Sequence, residues 1–310
     1  MPHAERASTR RARRGLSGPP YARRTERHID ADLLRIPSGS GALHVERYGQ
    51  GGPPVVLVHG FGTSSFLWRR IAPSLALAGY TAYAVDLLGY GESDRPVDAD
   101  YSIAEQAEGL ERALRALRVP EAGLVGIGVG GGVVQRLAAA HPLRAGRVVL
   151  VNSVAFDECP GGDVRAMQRD TARYALRIAR GVLGAAPLLR RLLEGSVARP
   201  ESMPPALVAR YLAPYVGPEG LAHLLRLARA LRAEDVEEVE LRRIQAPAMV
   251  VWGDENRWLD SGLAERLARA LPQGRLVRLQ AVGALVPEEA PDALSQLLLE
   301  FLGSETAPAV

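Results

Sequence analysis

The stretch LVGIGVGGGVVQRLAAAHP, residues 124–142, decides how this chain is read. It opens as a short apolar run, passes through a cluster of glycines and continues as a helical pattern that stops near His141-Pro142. A strand that turns directly into a helix is implied. The same letters satisfy G-x-G-x-x-G from Gly126 to Gly131, a dinucleotide fingerprint when a strand precedes it and a helix follows. Such sites place an acidic residue about 20 positions further on, to bind the ribose. Here the next apolar run, Arg147–Ser153, ends in Asn152 and Ser153, so the dinucleotide reading lacks its ribose contact.

Outward from this stretch, short β-branched runs alternate with helical patterns, as in a parallel sheet with crossover helices. Strands are expected over Arg147–Asn152, Pro247–Gly253 and Leu276–Gln280, and a closing helix around Pro291–Leu302. Ser102-Ile-Ala-Glu105 reads as a capping box that opens a helix through Leu117. Between about Ala155 and Val239 the alternation stops. Patterns there, such as Arg173–Glu194, are helical throughout, with prolines as punctuation.

Four further segments stand in order around the glycine turn. They are PVVLVHGFG (Pro54–Gly62), AYAVDLLGYGESDRP (Ala82–Pro96), MVVWGDENRWLD (Met249–Asp260) and AVGALVPEEAPD (Ala281–Asp292). Together with the glycine turn they resemble the α/β-hydrolase superfamily, over roughly residues 40–303. The extra glycine and the VVQRLA continuation resemble the elbows of epoxide hydrolases and dehalogenases more than those of serine esterases. The resemblance implies a mostly parallel, doubly wound α/β sheet with an inserted helical cap. Taken with the charge distribution along the chain, it gives a division into a basic arm (1–30), a first core segment (31–154), a cap (155–239), a second core segment (240–303) and a tail (304–310).

In the family pattern G-x-Nuc-x-G the nucleophile stands on a strained strand-to-helix turn. Gly126 and Gly130 hold the flanks, which puts Gly128 at the nucleophile station. The acid station holds Asn256 and the histidine station Ala284. An amide does not stabilise an imidazolium as a carboxylate does, and a methyl group moves no proton. Asp254 and Glu255 adjoin Asn256 as alternatives. By resemblance the oxyanion donors are the main-chain N–H groups of Phe61 and Val129, which side-chain substitution leaves in place. Dehalogenases of this type use Asn after HG and often Trp after the nucleophile, and Phe61 and Val129 fill those positions here.

Composition bounds the alternatives. The chain has 310 residues, 47% of them hydrophobic, enough for one large domain with an insertion. No apolar stretch reaches membrane-spanning length. A single cysteine, Cys159, permits no internal disulfide, and a cytoplasmic location is expected. Its thiol is a conceivable nucleophile, but Asp157 and Glu158 beside it should raise its pKa. Residues 1–27 carry eight Arg against two Glu, net +6, which leaves −3 for the rest of a chain whose total is +3. This arm reads as disordered, with a weak nucleic-acid or membrane-surface contact as its functional alternative; no other nucleic-acid binding is expected. The chain contains no lysine, which excludes lysine Schiff-base chemistry. Neither a metal nor a cofactor is expected.

Tyr211 and Tyr215, four apart, share a helix face if the helix survives Pro214. Two phenols could then face the pocket, with amphipathic packing as the plain alternative. Trp68 and Trp258 are expected to flank the mouth, and His223 is the one cap histidine placed to enter the cavity. His59 and Asp86 read as structural. Three function classes remain. The first is a non-hydrolytic (lyase- or cyclase-like) enzyme or binding protein for an apolar small molecule bearing a carbonyl or other polar oxygen. The second is a structural or interaction protein with a vestigial pocket. The third is a hydrolase with relocated groups, such as His223 or Asp157. For the first class the Phe61 and Val129 N–H groups should face a cavity of roughly a few hundred Å³.

Overall fold

Five mostly apolar runs, and three mixed runs toward the sheet edges, form an eight-stranded sheet. The strands are β1 (Asp32–Pro37), β2 (Ala42–Tyr48), β3 (Pro54–Val58), β4 (Thr81–Val85), β5 (Ala122–Ile127), β6 (Ala145–Val151), β7 (Ala248–Gly253) and β8 (Gly274–Leu279). Their order is β1-β2-β4-β3-β5-β6-β7-β8. The two β2 pairings are antiparallel and all others parallel. The computed structural model describes residues 29–169, 190 and 193–304. The basic arm but for its last two residues, the tail beyond Ser304, and the Arg173–Glu194 pattern but for Arg190 and 193–194 lie outside the described residues.

The inner strands need helices on both faces, because they are apolar on both. Val55, Val56, Leu57 and Val58 are all at most 1% exposed, as are Val148 to Val151. A two-sided apolar strand is stable only when covered on both sides. The crossover helices supply that cover: α1 (Ala72–Leu77), α2 (Ile103–Ala116) and α3 (Val129–Ala140). The Ser102 hydroxyl accepts from the Glu105 N–H at 3.2 Å, the first half of the expected capping box. The second half is absent. Ser102 N–H donates to Asp100 instead, and Glu105 pairs with Arg112.

Between β6 and β7 the described chain holds helices and turns and no strand. The helices are α4 (Gly162–Gln168), α5 (Pro205–Leu212), α6 (Gly217–Ala230) and the short α7 (Glu234–Glu237). After β7 follow α8 (Leu263–Ala270), α9 (Val286–Glu289) and α10 (Pro291–Gly303). Side chains of the sheet domain hold this helical stretch in place. The Glu289 carboxylate accepts from the Ala198 and Arg199 N–H groups at 2.8 and 3.1 Å, and from Gly283 N–H at 2.7 Å. In return, Asp235 accepts from Ile103 N–H at 3.0 Å and so caps α2.

The chain runs from β3 to one neighbour, β4, and then crosses to its other neighbour, β5. At such a reversal the connections leave the strand ends on opposite faces, and a crevice opens at the carboxyl ends. The crevice here lies between the turns after β3 and β5, at Gly60-Phe61 and Gly128-Val129. No helix of the described residues is long and apolar enough to cross a membrane.

Candidate functional site

Gly128 links β5 to α3 with φ 55° and ψ −119°, a conformation that residues with a β-carbon rarely adopt. A β-carbon there would meet nothing nearer than Gly60 Cα at 3.9 Å, so the turn has room for a side chain. Its flank is different. A β-carbon at Gly130 would lie 2.3 Å from the His59 carbonyl oxygen and 2.5 Å from that of Val58, so glycine is required for α3 to rest on β3.

Above this turn lies a cavity of about 90 Å³, lined mostly by apolar groups. It brings together Gly128, Asn256 and Ala284, along with Phe61 and Val129. The cavity is therefore smaller than expected from the sequence. Leu193, Leu212 and Leu224 from the helical stretch, with Val164 and Met167, occupy the space above the sheet edge.

Three backbone acceptors of the wall are engaged. Gly60 C=O accepts from Thr63 N–H and Oγ1, Gly128 C=O from Gly131 and Val154 N–H, and Ala284 C=O from Asn152 Nδ2. Asn152 also bonds Gly283 C=O and accepts from Gly253 N–H, which ties the β6 end to the loop carrying Ala284. Some donors are left over. Neither Phe61 N–H nor Val129 N–H has an acceptor among the described residues. Asn256 Oδ1 accepts from Trp258 N–H at 3.0 Å, but Asn256 Nδ2 and Trp258 Nε1 are buried without partners. The Tyr215 hydroxyl, donor and acceptor alike, is buried and unpartnered too, and burial raises its pKa.

Several expectations require correction. The helix does not survive Pro214: α5 ends at Leu212 and Ala213–Tyr215 is a 3₁₀ turn, because a proline there has no N–H to continue the ladder. The two tyrosines therefore diverge. Tyr215 lines the cavity, whereas the Tyr211 hydroxyl donates to Glu288, which also receives a two-pronged ion pair from Arg69 at 2.6 and 2.7 Å. Trp68 is fully buried in the core and lines no part of the cavity; Trp258 does line it.

His223 is also committed elsewhere. Its Nε2–H donates to Gly89 C=O at 2.6 Å, and burial lowers its pKa. Asp157 is paired with Arg266 at 3.1 Å on the surface, and the Cys159 thiol is pushed up to about 12, by burial first and by Asp235 second. Asp157 and Glu158, the neighbours in sequence, are not the cause of that rise. His59 is buried, with Nδ1–H donating to Gly60 C=O and Nε2 accepting from Leu87 N–H. Asp86 accepts from the Ser65 and Glu92 N–H groups and fixes the turns after β3 and β4. The Arg69–Glu288–Tyr211 cluster escaped sequence reading, because nothing local links residues so far apart in the chain.

Comparison with known proteins agrees with this geometry. Residues 53–291 match the sequence profile of the alpha/beta hydrolase fold. An uncharacterised hydrolase of Bacillus subtilis (strain 168), YugF, is 28% identical over 262 residues, 84% of this chain and 94% of its own. A haloalkane dehalogenase of Mycobacterium marinum is 31% identical over 227 residues, covering 69% of this chain and 72% of the relative. The crystal structure of an alpha/beta hydrolase fold protein from Burkholderia ambifaria superposes with a TM-score of 0.76 at 30% identity, over 88% of this chain and all of that one. With its strand order, its glycine turn and the site at the carboxyl ends of β3 and β5, the chain belongs to the alpha/beta hydrolase fold family.

Proposed function

We propose that this chain is a non-hydrolytic member of the family that holds a small molecule, with Gly128, Asn256 and Ala284 at the nucleophile, acid and base stations. In this reading residues 155–239 form a cap over the core segments 31–154 and 240–303. The observation that carries it is the chemistry of the cavity wall. Among the described lining residues there is no carboxylate, imidazole or thiol, and Thr63, the only aliphatic hydroxyl, donates to Gly60 C=O. No group there can attack a carbon and accept the proton that attack releases.

What the site retains is the capacity to bind. A buried donor without a partner costs about 1–3 kcal/mol, and an acceptor on a ligand removes that cost. Phe61 N–H and Val129 N–H stand ready for a carbonyl or other polar oxygen, and the leucines, Val164 and Met167 for an apolar body. Binding without chemistry is the function this wall supports best. A hydrolase with relocated groups is disfavoured, because His223, Asp157 and Cys159 are each occupied or buried outside the cavity.

The test is turnover of activated esters, haloalkanes and styrene-type epoxides by the full chain, set against a heat-denatured control. The expected rates equal the control. Turnover that is well above it and is lost on changing one surviving side chain overturns the proposal.

A further inference from the structure

We propose that residues 205–216, helix α5 with the 3₁₀ turn that follows it, form a latched gate over the cavity that opens while the rest of the fold stays closed. Leu212 and Tyr215 of this segment line the cavity, so displacing it uncovers the space above Gly128. Pro204 and Val216 bound it in extended conformation, at the ends of helical elements, where hinge rotation is commonly absorbed. Its neighbours are tied to the sheet domain through main-chain groups. Before it, Ser196 C=O accepts from Ala284 N–H at 2.7 Å, and Glu289 takes the Ala198 and Arg199 N–H groups. After it, Asp235 accepts from Ile103 N–H. From 205 to 216, no hydrogen bond between main-chain groups reaches the sheet domain among the described residues.

Two side chains hold the segment instead. The Tyr211 hydroxyl donates to Glu288, and Arg95 Nη1 donates to Pro214 C=O at 3.0 Å. Both bonds can be lost without unwinding a helix or a strand. The closed position also carries a penalty. Tyr215 is 2% exposed and its hydroxyl has no partner, so closing strips the phenol of water and returns no hydrogen bond. Opening hydrates it. The Tyr211 and Arg95 bonds therefore oppose the Tyr215 hydroxyl, and their balance sets how often the gate is open. The gate is a property of the fold, whatever the cavity binds.

The experiment measures iodoacetamide labelling of the full chain carrying Leu212→Cys, with Cys159→Ala to remove the native thiol. Val250→Cys, in the core of β7, reports global unfolding in the same background. When closing outpaces the reagent, the labelling rate scales with the fraction open. Leu212→Cys should label about a hundredfold or more faster than Val250→Cys. Adding Tyr211→Phe or Arg95→Met should speed labelling of Leu212→Cys about tenfold, and adding Tyr215→Phe should slow it about tenfold. The last sign is diagnostic, since loss of an ordinary buried contact speeds labelling. Trypsin cleavage after the exposed Arg210, in chains without added thiols, should rank the three variants in the same order. Equal labelling of Leu212→Cys and Val250→Cys overturns the gate, because the segment then leaves only when the whole protein unfolds. Labelling that is unchanged or faster in Tyr215→Phe overturns the opposing role of its hydroxyl. Rates unchanged in both Tyr211→Phe and Arg95→Met overturn the latch.

Discussion

Replacing Gly128 by alanine isolates the strain of the turn. At φ 55° and ψ −119° an alanine is held in a region nearly confined to glycine, at a cost of about 1–3 kcal/mol. Packing adds nothing, since the new methyl group would meet only Gly60 Cα, at 3.9 Å. Against this, alanine narrows the unfolded ensemble and returns about 0.4–1 kcal/mol. The net loss is about 0.5–2 kcal/mol, or roughly 1–4 °C in unfolding midpoint for a domain of this size. Gly130→Ala is the contrast. Its methyl group would lie 2.3 Å from the backbone oxygen of His59, an overlap that no side-chain movement relieves, so it should cost several times more or prevent folding. Urea and thermal unfolding followed by circular dichroism measure both. A Gly128→Ala midpoint equal to or above wild type refutes the claim that the turn is strained; a mild Gly130→Ala refutes the account of how α3 rests on β3.

Arg69→Leu strands the Glu288 carboxylate, whose side chain is 2% exposed, with only the Tyr211 phenol as partner, and should cost about 3 kcal/mol. The double variant Arg69→Leu with Glu288→Gln should recover part of that loss in urea unfolding. Cys159, buried and with its thiol pushed up to about 12, should resist iodoacetamide at pH 8 in the folded protein and react promptly in urea, as mass spectrometry would report. His223 has its pKa lowered by burial below the ordinary 6.5, so its contribution to stability is complete above 6.5 and is lost as pH falls toward the folded value. His223→Gln should therefore reduce the fall in stability below pH 6.5, by up to about 1.4 kcal/mol per pH unit; an unchanged slope counts against the neutral, buried imidazole.

Local pattern determined the order of elements, because each strand and helix carries its own periodicity and punctuation. Helix α3 stops at Ala140 where His141-Pro142 predicts, and α10 begins at Pro291. The glycine turn was equally legible, since a residue with φ near 55° and a neighbour pressed against β3 both require glycine. Side-chain destinations were another matter. Nothing in the spacing of Tyr211 and Tyr215 tells that Pro214 tightens the chain into a 3₁₀ turn and sends one phenol to Glu288 and the other to the cavity. Trp68 and Trp258 read alike, yet only the second lines the pocket, because the first is fully buried in the core. The amount of space over Gly128 is set by leucines that come from segments some 65 to 95 residues away in the chain and meet only in the fold. Backbone conformation is a property of a few adjacent residues and can be read from them. Which donors find acceptors, and which are left over, is decided by contacts between distant segments, and only the tertiary structure supplies those.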